Sequence, residues 1–291
     1  MSFNDRTLIA EDGTHIAYGV AGGGPALVLT NGLTTSSLFW KYLRPIWLRR
    51  HTVITWDLPG HGASGPARTP KTARIHAQPR LIAQIMDRVG VARAVHVGWS
   101  TGCQVALETY RQFPGRALGV ALLLGGAGHV LNSTRLPVPG PVIERLVRAS
   151  PSVLFEWSAY TLSRAMRLQP GVALGRTLGL IGPRAKTEDV REIIHHIGEV
   201  DRTTLRGMLI SLQEHSARSV LANMRVPLLI VSGDKDPFAP SALVGIPLHR
   251  SVPKSELVRL PEGTHTALLE EAELIGERVE AFVVRCLRGI S

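Results

Sequence analysis

Residues 94–113, AVHVGWSTGCQVALETYRQF, carry the decisive reading. Ala94 to Trp99 is predicted to be a strand and Gly102 to Phe113 the helix after it, which makes Gly98-Trp99-Ser100-Thr101-Gly102 the turn between them. A Gly-x-Ser-x-Gly turn in that setting holds its serine on a sharp bend, and its glycines are needed because larger side chains have no room there. The pentapeptide alone is a weak signal, and the strand-turn-helix context gives it weight. A serine hydroxyl is a poor nucleophile at neutral pH unless a neutral imidazole within hydrogen-bond reach takes its proton. Ser100 is the candidate nucleophile, and it needs a histidine and a carboxylate from elsewhere in the chain.

Outward from this turn the chain alternates strand-like and helix-like segments, as a mostly parallel sheet with covering helices requires. Short strands are predicted around Thr7 to Ala10 and His15 to Val20, and the apolar run Ala26 to Thr30 suits a strand buried on both faces. A helix capped by Ser36 or Ser37 is expected through Leu38, Phe39, Tyr42, Leu43 and Ile46, with a strand from His51 to Asp57. Pro79 fits the first turn of a helix ended by Gly90, and Leu118 to Leu124 reads as a strand. Between 128 and 223 the character changes. Prolines at 137, 139, 141, 151 and 170 separate amphipathic helical stretches, and no strand is evident. The block reads as a helical cap inserted into a core made of residues 1–127 and 224–291. There the strand pattern resumes at Pro227 to Ser232 and Glu256 to Leu260, before a last helix carrying Ile275, Val279, Phe282, Val283 and Cys286.

Several separate segments make this sequence resemble the α/β-hydrolase superfamily. Thr30-Asn31-Gly32-Leu33 looks like the loop after the third strand that supplies one oxyanion-hole N–H, that of Leu33, with Thr101 supplying the other. Asp57-Leu-Pro-Gly60-His-Gly62-Ala-Ser64 is similar to the family's DxxGxGxS turn. Gly233-Asp234-Lys235-Asp236-Pro237-Phe-Ala-Pro240 resembles the turn after the seventh strand that presents the triad acid, and Gly263-Thr264-His265 resembles the histidine loop. The order Ser, Asp, His is the one this fold uses. The resemblance implies an α/β-hydrolase fold, with a mostly parallel eight-stranded sheet flanked by helices and an inserted helical cap. It also implies a triad of Ser100, His265 and Asp236, although Asp234 lies two residues from the acid position and competes for the role. One departure stands out: the family's loop often reads His-Gly, where this chain has Asn31-Gly32. Asparagine can make comparable loop hydrogen bonds. Asn31 and Trp99 are also candidates to line the pocket, Trp99 alternatively packing beneath the turn.

The function so implied is a serine hydrolase cleaving a small or medium apolar carboxylic ester, lactone or thioester through an acyl-enzyme on Ser100, without metal or organic cofactor. Carbon–carbon bond hydrolysis, acyl transfer and cofactor-free perhydrolysis use the same triad, and a ligand-binding protein can share the fold. Dehalogenase and epoxide-hydrolase chemistry is disfavoured, because those relatives carry aspartate where this chain has Ser100. Apolar cap residues, among them Val153, Leu154, Phe155, Trp157, Tyr160, Leu162, Met166 and Leu168, serve either an acyl pocket or the packing of the cap. A net charge of +10 raises the question of nucleic acid, but no run of five or six basic residues occurs, which argues against it. Ala117 to Thr134 is broken by glycines and fails as a membrane span. Glu192 and His195 resemble half of a carboxylate–histidine metal site without a second half. Cys103 and Cys286 are too few for a disulfide framework, and Met1 to Asp12 does not read as a secretory leader, so a cytoplasmic protein is expected. The sequence leaves the oligomeric state open.

Overall fold

A computed structural model describes residues 3–135, 138–166, 169–177, 179 and 181–288 of the 291-residue chain. Among these, the strands are β1 (Arg6–Ile9), β2 (His15–Gly22), β3 (Ala26–Thr30), β4 (Thr52–Trp56), β5 (Ala94–Trp99), β6 (Ala117–Leu123), β7 (Leu228–Gly233) and β8 (Glu256–Leu260). They form one sheet in the order β1-β2-β4-β3-β5-β6-β7-β8. β2 pairs antiparallel with β1 and β4, and every other pairing is parallel. β3, β5 and β7 are buried at every residue, which is why they read as unbroken apolar runs and not as alternating ones.

Successive side chains of a strand point to opposite faces, so each central strand feeds two cores. Leu27, Leu29, Val95 and Val97 pack on one face with Trp40, Trp47 and the helix Ala272–Arg288, through Ile275, Val279, Phe282 and Val283. Ala26, Val28 and Ala94 face the other way, onto the helices Gln78–Arg88 and Thr101–Gln112 through Ile82, Ile85, Met86 and Val105. Each such fully buried aliphatic or aromatic side chain contributes about 1.5–3 kcal/mol relative to exposure. Predicted strand and helix positions agree with the structure to within a residue or two, with one correction. The helix expected through Leu38 to Ile46 is two short pieces, a 3₁₀ turn Ser37–Trp40 and a helix Arg44–Trp47. Pro45 lacks the N–H that a continuous helix would need at that position.

Between β6 and β7 the described residues form helices and turns: Gly140–Ala149, Ser152–Met166, Gln169–Thr177, Thr187–Glu199, Arg202–Glu214 and Arg218–Leu221. The start of the segment meets its later part where Gly128 and Ser216 form an isolated antiparallel bridge and the Ala217 amide donates to the Ala127 carbonyl at 2.7 Å. Among the described residues no helix is long and apolar enough to cross a membrane.

Two buried histidines in this fold contribute to its response to acid. His96 in β5 and His61 in the loop after β4 are each 1% exposed, and burial pushes the pKa of each down to about 4. Below the ordinary value of about 6.5 the unfolded chain takes up protons that the folded chain refuses. The stability they support is therefore complete above that pH and drains away toward pH 4, at about 1.4 kcal/mol per pH unit for each ring. Asp57 acts in the opposite sense, because burial raises its pKa. Urea midpoints measured between pH 7 and 5 should fall for the parent protein and fall less steeply for His96→Leu. Equal slopes would contradict this account.

Candidate active site

Ser100 sits between β5 and the helix Thr101–Gln112 with φ 54° and ψ −119°, outside the regions favoured by L residues. Such a backbone costs on the order of 1–3 kcal/mol and persists because the surroundings over-determine it. The flanking glycines explain how it fits. A Cβ on Gly98 would lie 2.2 Å from the Gly102 carbonyl oxygen, and one on Gly102 would lie 2.2 Å from that of Thr30. The Ser100 amide donates to the Leu123 carbonyl at 3.0 Å, fixing the bend to the end of β6.

The acid and the histidine come from the ends of β7 and β8. Amides of Asp234 and Lys235 donate to the carbonyls of Leu260 and Gly263 at 3.0 and 3.1 Å, locking the two loops side by side. His265 Nδ1 lies 2.9 Å from Asp236 Oδ2, and His265 Nε2 lies 2.9 Å from Ser100 Oγ. Asp236 is fully buried, and its other oxygen accepts from the amides of Phe238 and Ala239 at 2.8 and 3.1 Å. A carboxylate held this way accepts Nδ1–H and leaves Nε2 as the basic nitrogen facing the serine. Asp234, the competing carboxylate, faces away and pairs with Arg259 at 2.7 Å.

The loop after β3 supplies the other wall. Thr35 and Thr34 hydroxyls donate to the carbonyls of Gly32 and Leu33 at 2.8 and 2.6 Å, holding those oxygens back. The Leu33 amide makes no hydrogen bond among the described residues, and the Thr101 amide opens its helix, where N–H groups have no partner within the helix. Asn31 is 1% exposed, with its amide donating to the Trp56 carbonyl at 3.1 Å and to Asp57 at 3.2 Å, and its oxygen accepting from the Trp40 indole. These bonds make it a brace of the loop, so its expected place in the pocket lining is corrected: both ends of the side chain are taken. Trp99 is 3% exposed, stacks on Phe39 at 4.4 Å, and donates to the His265 carbonyl at 3.2 Å, so it packs beneath the site.

Sequence reasoning missed one contributor, Phe238, and read another, Asp57, only as part of a turn. Phe238 sets its ring edge-to-face with His265 at 4.7 Å, and Trp99 lies tilted against the same imidazole at 5.4 Å, so two aromatics pack on it. Asp57 is the buried anchor of the Asn31 loop, accepting also from the Ser37 and Ala63 amides at 2.7 and 3.0 Å. The DxxGxGxS turn was a signal for Asp57; nothing in the sequence singled out Phe238.

A family model described as the alpha/beta hydrolase fold matches residues 25–272. The chain belongs to that family. It is 27% identical over 264 residues to a pimeloyl-[acyl-carrier protein] methyl ester esterase of Xanthomonas oryzae, covering 91% of this chain and 97% of that one. It is 26% identical over 268 residues to the dihydrolipoyllysine-residue acetyltransferase component of an acetoin cleaving system of Pseudomonas putida, covering 90% of this chain and 64% of that protein's length. Among solved structures, an esterase from Exiguobacterium antarcticum shares the fold at 19% identity with a TM-score of 0.76, covering 97% and 99% of the two chains. An enol-lactonase from Burkholderia xenovorans does so at 20% identity with a TM-score of 0.75, covering 96% and 100%.

In this alpha/beta hydrolase the helical segment between β6 and β7 touches the loops of the site. The Arg135 amide donates to the Pro237 carbonyl at 2.7 Å, beside Asp236. The Gly182 amide donates to Thr266 Oγ1 at 2.9 Å, beside His265. Tyr42 and Lys41 engage Asp189, Lys41 also engages Glu192, and Ser36 lies 3.2 Å from His196. Glu192 and His196 thus serve to join segment and core. Cys103 is fully buried, with its thiol donating to the Gly98 carbonyl at 3.2 Å and burial pushing its pKa well up, so it packs the bend from behind. Of the apolar residues noted in the segment, Leu168 and the side chains of Leu162 and Met166 lie outside the described residues, while Val153, Leu154, Trp157 and Tyr160 are exposed.

Proposed function

We propose that the protein hydrolyses a carboxylic ester, lactone or thioester of a small or medium apolar acyl group, through an acyl-enzyme on Ser100. It is a hydrolase of the carboxylic ester class, in keeping with its family and with an esterase and a lactonase among the proteins it resembles. The observation that carries the finer reading is the unbroken series Ser100–His265–Asp236, both links at 2.9 Å. His265 takes the proton of Ser100 as the hydroxyl attacks the carbonyl, and Asp236 stabilises the imidazolium that forms. The amides of Leu33 and Thr101 bind the oxyanion, where loss of one such donor costs roughly 3–4 kcal/mol of barrier. His265 then protonates the leaving group, and water, deprotonated by the same ring, releases the acyl group. Residues 128–223 act as a cap bearing on the acid and histidine loops. Acyl transfer is the second reading, favoured by the resemblance to an acetyltransferase component.

A series of p-nitrophenyl esters of increasing acyl length tests this. We expect saturable turnover, with kcat/KM rising by up to about fourfold per added methylene while the pocket fills, and falling beyond it. An added alcohol or thiol that diverts product from acid to new ester would move the assignment to acyl transfer. Absence of turnover across the series would leave a binding protein.

A further inference from the structure

The helix Ser152–Met166 packs on the helices Gln169–Thr177, Thr187–Glu199 and Arg202–Glu214, and one side of it is left in water. On that side Val153, Leu154, Trp157 and Tyr160 are 76%, 54%, 65% and 44% exposed. Their spacing places them on one helix face. Adjacent exposed apolar groups of this size mark an interaction surface more often than an idle one. The preceding helix, Gly140–Ala149, also exposes Val142 and Leu146.

Cations border the face. Arg164 continues the stripe one turn on, its guanidinium 5.6 Å from the Tyr160 ring, and that of Arg202 lies 5.0 Å from the same ring. Neither these nor Arg145 forms an ion pair among the described residues. The nearby carboxylates are engaged: Glu156 accepts from Thr203, while Glu144 and Glu214 pair with Arg148. The uncovered face is thus apolar at its centre and positive at its edge.

We propose that this face docks the protein reversibly on an anionic lipid surface. Indole and phenol rings settle at the level of lipid headgroups, aliphatic side chains enter the acyl boundary, and guanidinium groups meet phosphates. A second copy of the chain is a poorer occupant, because the same unpaired arginines would meet each other on molecules of net charge +10.

The tryptophans provide the readout. Of the five, Trp40, Trp47, Trp56 and Trp99 are at most 3% exposed, so a change in emission on docking reports Trp157. Vesicles of phosphatidylcholine with phosphatidylglycerol should co-sediment the full chain and shift its emission to the blue, an effect weakened by salt. Trp157→Ala should abolish the shift and lower partitioning roughly tenfold, and Arg164→Glu should lower it roughly fivefold or more. Far-ultraviolet circular dichroism of both variants, unchanged from the parent, separates lost docking from lost folding without relying on ester turnover. Four results would overturn the proposal: no binding to these vesicles, equal binding to pure phosphatidylcholine, binding untouched in both variants, or a Trp157-dependent dimer by light scattering.

Discussion

Ser100→Ala is expected to remove fluorophosphonate labelling and to lower kcat on p-nitrophenyl esters by roughly ten-thousandfold to a millionfold, with little change in KM. In the proposed mechanism the hydroxyl oxygen forms the new bond, so its loss would leave only the amides of Leu33 and Thr101 and the binding of substrate. Such residual groups still give about a thousandfold to ten-thousandfold over water. The backbone of the variant should survive, because the bend is held by the Ser100 amide and by the close approach of Gly98 and Gly102, none of which involves the hydroxyl. A variant that keeps parental turnover would mean that the chemistry lies elsewhere in the molecule.

Asp236→Asn should cost roughly ten-thousandfold in kcat, because an amide can donate where Nδ1–H must be accepted and so favours the wrong tautomer of His265. Asp234→Asn should stay within about threefold, since an exposed pair of this kind is worth at most about 1 kcal/mol. The two substitutions remove the same charge two residues apart, so the contrast isolates position from net electrostatics. If the Asp234 variant were the inactive one, the role given to Asp236 would be wrong.

The sheet was largely legible because its central strands are buried on both faces and bounded by turns. β5 and β8 begin and end where the residue pattern places them. The bend at Ser100 was legible for a different reason: small residues at fixed offsets leave few other ways to fold. What could not be read were relations between distant segments. Asp234 and Asp236 are told apart only by their partners, one side chain turning to Arg259 and the other to His265. Asn31 looked like a lining residue because nothing local reveals that Trp40, Trp56 and Asp57 converge on it. Pro45 was a local signal that outranked the apolar spacing around it, and it divided the expected helix.

The bridge between Gly128 and Ser216 closes most of a long excursion, residues 129–215, between two points already in contact. Joining two points already in contact adds almost no closure entropy when the excursion lengthens or shortens, since that cost grows only with the logarithm of its length. Changes of length within the helical block are therefore expected to leave the register of the sheet unchanged, so that the block would be open to redrawing by mutation without reordering the strands.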